Sequence, residues 1–355
     1  MDYCIYIPIF EHFSDVRYAL LLLESLYIYG NIYNKNYHNI DIIINTTEKF
    51  KKKIMESYLY DNNIIFEINE KINKFDLFDL KIIDKYDKIL YLDPKTIIKT
   101  DVKNFFDLVT TNTIYTNNSN NFNIMLFTNN SEIKIYFNIL RLNDIKNLKL
   151  NFVNKNLLTD DNIVNFTDNS IYNYFINHKE NTINSIINKC KDININNDNK
   201  YKNIVNIFIN KKIKNVLYIC SNLSNDILLM LITNPDIKIT CVLNDYDIEF
   251  YNKIKESFPN SLNIIKGDST DILPFLKDKY DLIYVDTNAQ QFMMINDFIN
   301  SYHLASDYSL FLMNNYKKPD INNVWNLYSA KLRFREPDIN IFTTDSHIIK
   351  FIKKY

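Results

Sequence analysis

The sequence predicts an α/β protein with two mostly parallel sheets, one after the other along the chain. Three observations predict it. Strand-length apolar runs alternate with amphipathic helical stretches through the first half, the pattern of helices laid on a parallel sheet. From about residue 178 to 202 the chain turns polar, rich in Asn, Lys and Asp. The alternation then restarts and closes on two successive strands, in a chain of 355 residues, long enough for two domains.

In order, the apolar runs predict strands at 3–9, 40–44, 64–68, 88–92, 96–98 and 124–127. Helical periodicity places helices at 15–27, with Ser14 as N-cap, and at 48–60, 75–84 and 132–142. In the second half, strands are expected at 215–219, 238–243, 262–265, 281–285 and 309–314. Helices at 224–233, 247–257, 270–276 and 290–302 separate them, and a last helix near 322–331 precedes strands at 340–343 and 347–352. Five βα units with a closing pair are the layout of a doubly wound nucleotide-binding fold. The expected organisation is a first domain over 1–180, a polar linker over 181–205 and a second domain over 206–355.

Composition narrows the function classes. The formal net charge is -1, so nothing draws the whole chain toward nucleic acid or an acidic membrane, and nucleic acid is not an expected partner. Lysine clusters at 51–53 and 211–214 read as solvated helix faces. No apolar run nears the roughly 20 residues a membrane span needs, and the start lacks a signal-peptide pattern. Cys4, Cys190, Cys220 and Cys241 have neither zinc nor redox spacing; Cys4, Cys220 and Cys241 lie in apolar strand-like runs, where buried free thiols are expected. A reducing, cytoplasmic setting is the expectation. The chain has only two glycines, where average usage of about 7% would give about 25. With its excess of Asn, Ile, Lys and Tyr, it resembles products of A/T-rich genes, such as those of large DNA viruses or parasites. For such a source the setting becomes host cytoplasm or virion. The surplus among 26 Tyr and 24 Phe predicts surfaces suited to a protein partner.

The most informative segment runs from Tyr86 to Phe106. It reads as a buried strand that delivers Asp93 to its C-terminal end, followed by Pro94, Lys95, a short strand and an acidic turn. The order of Tyr86-Asp87-Lys88, Tyr91-Leu92-Asp93 and the Asp101-Val102 to Phe105-Phe106 turn resembles glycosyltransferase family 8, the glycogenin-like retaining enzymes of GT-A fold, and the resemblance extends from Tyr3 to about Phe175. It implies a UDP-sugar donor whose diphosphate is neutralised by Mn or Mg on two carboxylates. Asp93 fits the first carboxylate; it is the one metal-ligand candidate, and no metal site is assigned. Lys95 stands at the second and offers one positive charge directly to a diphosphate. The family's helix lysine falls at Leu77. Its Asn-x-Gly turn becomes Asn121-Phe122-Asn123, and its His-Phe-x-Gly motif becomes Asn165-Phe166-Thr167-Asp168. The nucleotide-sugar candidates are therefore Asp93, Lys95, Asn121 and Asn165, and the losses fall on the metal and donor sites.

From about Asn203 the chain resembles a class I S-adenosylmethionine-dependent methyltransferase. Asn215 to Ile219 matches the first strand, Val242 to Asp245 the end of the second, Gly267-Asp268-Ser269 the third turn and Tyr280 to Asp286 the fourth strand. The first βα turn, Cys220 to Ser224, has no glycine, although close backbone approach to a cofactor favours one. The cofactor-binding candidates are Ser221, Asn222, Asp245, Asp268 and Asp286. Each acid also has a structural reading, at a strand end or as an N-cap. No Walker or Gly-x-Gly-x-x-Gly loop occurs.

Together these readings predict a GT-A-like domain followed by a Rossmann-like methyltransferase domain, both catalytically degenerate, serving as a binding or scaffolding module. The alternative is an active nucleotide-sugar transferase with Asp93 and Lys95 at the diphosphate and a fused methyltransferase domain. UDP-sugar with Mn or Mg, or S-adenosylmethionine, is a ligand only if the altered sites still bind.

Overall fold

The computed structural model describes residues 2–10, 12–33, 40–70, 77, 80–109, 113–116, 124–129, 151–153, 163–165, 170–191, 195, 199–221, 224–243, 248–286, 291–314, 319, 322–323, 326, 334–335 and 347–352. The chain divides into two compact units, Met1–Asn177 and His178–Tyr355.

In the first unit, β1 (Tyr3–Pro8), β2 (Ile40–Thr46), β3 (Ile64–Ile68) and β4 (Lys88–Leu92) form the parallel part of a sheet. Every residue of β1 is buried, as expected of a parallel strand covered on both faces. The sheet order is β3-β2-β1-β4-β7-β6-β8, completed by β6 (Thr113–Thr116), β7 (Ile124–Thr128) and β8 (Asn151–Val153). Strand β7 runs antiparallel to β4 and to β6, so the sheet is mixed. A separate two-stranded ladder pairs β5 (Thr96–Ile98) with β9 (Ile163–Asn165).

Helix α1 (Phe13–Ile28) starts earlier than its periodicity predicts. His12 is the N-cap, its carbonyl accepts the Asp15 N–H at 3.0 Å, and Ser14 lies inside the first turn. Helix α2 (Glu48–Met55) stops short of residue 60. There the buried Ser57 hydroxyl accepts the Leu59 N–H at 3.2 Å, a local bond that competes with the helix ladder. The described part of the predicted 75–84 helix is a 3-10 turn, Lys81–Lys85, and α3 (Lys103–Phe106) fills the acidic turn. The predicted helix at 132–142 lies outside the described residues.

The unit boundary falls within α4 (Ile171–Lys189). The second unit continues through α5 (Asn199–Phe208), β10 (Asn215–Cys220), α6 (Asp226–Thr233), β11 (Lys238–Leu243), α7 (Ile248–Ser257) and β12 (Leu262–Lys266). Next come α8 (Ser269–Ile272), β13 (Tyr280–Asp286), α9 (Gln291–Tyr302), β14 (Ala305–Asn314), β15 (Phe334–Arg335) and β16 (His347–Ile352). The predicted 270–276 helix is split, with a 3-10 turn over Leu273–Phe275, because Pro274 has no N–H to continue the ladder. The strand expected at 340–343 lies outside the described residues, as does most of the 322–331 helix.

The second sheet has the order β12-β11-β10-β13-β14-β16-β15, parallel through β14 and antiparallel at β16 and β15. Chain order reverses beside β10: β11 and β12 lie on one side, β13 and β14 on the other. In such sheets ligands bind beyond the carboxyl ends of the strands at this switch point. Below it, Leu217, Ile219, Ile283, Val285, Phe298 and Phe311 form a buried layer, with the Phe298 and Phe311 rings stacked at 4.7 Å. Full burial of each such side chain is worth about 1.5–3 kcal/mol.

Candidate functional site

Each unit has its own switch point in strand order, beside β1 in the first and β10 in the second. In the second, the strands end at Cys220, Leu243, Asp286 and Asn314. Asp286 closes β13 with both carboxylate oxygens occupied. Oδ2 accepts the Tyr218 hydroxyl at 2.9 Å, and Oδ1 accepts the Asn314 side-chain amide. Ser221, just past β10, donates its backbone N–H to the Asp286 carbonyl at 3.3 Å. Asp268 caps α8, with Oδ1 accepting the Thr270 N–H and Thr270 hydroxyl, each at 2.8 Å. Gly267 precedes it at φ +139°, a conformation side chains rarely adopt. Asn222 and Asp245 lie outside the described residues.

Sequence reasoning missed a further acid, bonded to β13 through Tyr284. Asp226, the first residue of α6, is fully buried. Its Oδ2 lies 2.8 Å from the Lys200 ammonium and accepts the Tyr284 hydroxyl at 2.9 Å, while Oδ1 has no hydrogen-bond partner. Burial acts on both ions of the pair, lifting the Asp226 carboxyl and opposing the Lys200 charge. For Lys200 the carboxylates of Asp226 and Asp286 outweigh burial and its pKa rises. The Tyr218 and Tyr284 rings lie 4.9 Å apart between the two acids. Burial pushes both phenols up, reinforced by Asp286 at Tyr218 and by Asp226 at Tyr284. No periodicity signals this network; of its members, sequence reasoning singled out Asp286 alone.

In the first unit, Asp93 and Lys95 follow β4 at the edge shared with β1. Asp93 Oδ1 accepts the Lys95 backbone N–H at 2.9 Å. The Lys95 ammonium lies 5.4 Å from the ring centre of Tyr18 on α1. Asp15, one turn earlier on α1, is 8% exposed. Burial raises its pKa, His12 and Lys95 oppose that rise, and Asp93 adds to it. Asn165 ends β9 opposite Thr96 in the β5 ladder, which brings its backbone beside the Asp93–Lys95 turn. Asn121 lies outside the described residues. Across β1 and β2, the Asn45 amide donates to the Tyr6 hydroxyl at 2.7 Å, and Asn69 donates to Asn45 Oδ1 at 2.8 Å; composition hid this relay.

Among the described residues, no group of three or more His, Cys, Asp or Glu could hold a metal ion. Asp93, with one oxygen engaged by the Lys95 N–H, does not by itself supply a divalent-cation donor set. All four cysteines are buried free thiols. No described helix is long and apolar enough to cross a membrane.

The second unit is thus a doubly wound, Rossmann-like α/β fold. No protein-family model matches the chain, and no curated protein matches it. Among solved structures, the chain is similar to a Staphylococcus aureus protein described as a caffeoyl-CoA O-methyltransferase, at 17% identity and a TM-score of 0.39, over 51% of this chain and 98% of that one. It is similar to the SAH-bound Podospora anserina methyltransferase PaMTH1, at 13% identity and a TM-score of 0.36, over 54% and 99% of the two chains. It is also similar to the Streptomyces achromogenes O-methyltransferase TomG in complex with SAM, at 11% identity and a TM-score of 0.36, over 52% and 97%.

Proposed function

We propose that this chain is a binding or scaffolding protein built from a glycosyltransferase family 8-like domain over 1–180 and a class I methyltransferase-like domain over 206–355, neither of them catalytic. The observation that carries this reading is the self-pairing of the second crevice. Asp286 accepts one bond on each oxygen, from Tyr218 and Asn314, and Asp226 is held by Lys200 and Tyr284. A ligand that took over any of these bonds would first have to break one made by the chain, at a cost of about 1.5–3 kcal/mol for each bond to a charged group. Phe275, 80% exposed beside α8, supports a protein partner, because aromatic residues are enriched in such interfaces.

A second reading, an active nucleotide-sugar transferase, draws support from Asp93, Lys95 and the Asn165 backbone lying together at one turn. Calorimetric titration separates the two. We expect no binding tighter than millimolar for UDP-sugars, with or without Mn, or for S-adenosylmethionine. Micromolar binding of either ligand, or any sugar transfer, would overturn the scaffold reading.

A further inference from the structure

We propose that the crevice of the second unit is a site for a primary ammonium group, which the chain fills with its own Lys200. The proposal rests on the self-paired crevice described above and says what chemistry fills it. Lys200 reaches in from α5, outside the sheet, with its side chain one-quarter exposed, and its ammonium meets the fully buried Asp226 carboxylate at 2.8 Å. The groups around that ammonium are those that select a compact cation. Asp226 and Asp286 provide two negative charges, and the Tyr201 ring centre lies 5.9 Å away, within cation–π range. Tyr284 donates to the same Asp226 oxygen and fixes its orientation.

A second observation points to a ligand-type site and not to an ordinary ion pair. Asp226 Oδ1 is buried without a hydrogen-bond partner. A buried carboxylate oxygen left this way is costly, so the position has acceptor capacity for one more N–H or O–H donor. The N-terminus of α6 favours negative charge there, and Asp226 supplies it. An anionic ligand would meet both carboxylates. Each Asp286 oxygen already accepts one bond from the chain, whereas Asp226 Oδ1 accepts none. What fits is a point-like cation with several N–H donors, such as an alkylammonium.

Chemical rescue tests this. Lys200→Ala leaves Asp226 buried and unpaired and should lower the Tm by about 10 °C. Added n-butylammonium chloride should restore most of that loss with saturation, while tetramethylammonium chloride at equal ionic strength, which has no N–H, should not. The wild-type chain, with its site filled, should not respond to either. No loss on substitution, or equal effects of the two salts, would sink the proposal. If Lys200→Ala does not fold alone, refolding yield from urea in each salt gives the same readout, and equal yields overturn the ammonium site. Tight S-adenosylmethionine binding with amine rescue intact would refute the scaffold reading alone. A silent nucleotide titration without rescue would refute the ammonium site alone.

Discussion

Asp297 on α9 should make the second unit less stable as pH rises through neutrality, and Asp297→Asn should remove that dependence. The residue is 1% exposed, and its Oδ1 has no hydrogen-bond partner. Burial, with a smaller contribution from Asp268, raises its pKa from 3.8 to about 6, while a bond to Ser269 opposes the rise. The folded state therefore keeps a proton that the unfolded chain releases near pH 3.8. The associated stability is fully present below that pH and is lost as pH climbs through about 6. The gap corresponds to roughly 3 kcal/mol at 1.36 kcal/mol per pKa unit. An Asn side chain mimics the protonated acid at every pH. Urea unfolding, followed through Trp325, the single tryptophan of the chain, would be run from pH 4 to pH 8. The stability of Asp297→Asn relative to wild type should rise by about 2–3 kcal/mol across that range, whatever constant offset the amide introduces. Parallel profiles, differing by a constant, would refute the assignment of a buried, proton-binding carboxyl.

Two further substitutions probe the crevice scaffold. Gly267→Ala places a Cβ 3.1 Å from Ile272 Cδ1 at φ +139° and should cost about 1–3 kcal/mol in urea unfolding; a neutral result would mean that the turn relaxes freely. Tyr218→Phe removes the donor to Asp286 Oδ2 and should cost about 2 kcal/mol, with Phe retaining the ring packing; a loss well below 1 kcal/mol would show that water replaces the phenol.

The central strands of both sheets were legible because buried parallel strands are continuous apolar runs, and β4 and β11 fall where those runs lie. The mixed character of the first sheet was not, because strand direction leaves no mark on a short apolar run such as β7. Helix ends moved where local bonds compete, at His12 and Ser57. The site was legible only in part. Asp93 and Asp286 stood out as acids closing buried strands. Asp226 did not, because an acid at a helix start reads as an ordinary first-turn residue. Lys200 was hidden in a stretch read as polar, yet Asn203 to Phe208, on the same helix, are buried. The helical periodicity there is blurred by Asn at positions that usually carry apolar side chains.

The two crevices share one device. In each unit the first and fourth strands are parallel neighbours, and each carries a tyrosine at the same register: Tyr6 opposite Tyr91, and Tyr218 opposite Tyr284. The ring centres lie 5.8 Å and 4.9 Å apart. In both units an acid follows two residues after the second tyrosine, Asp93 and Asp286, so the pleat sends it to the same face. The phenols of Tyr6 and Tyr218 then bond side chains at the strand ends, Asn45 and Asp286. A chain with two glycines cannot readily line a crevice with bare backbone, and here paired phenols and their polar partners occupy the switch points instead. A backbone-lined crevice leaves its N–H groups to water or a ligand. One lined by phenols, amides and carboxylates can satisfy itself, and the Lys200–Asp226–Tyr284 cluster does so but for one oxygen.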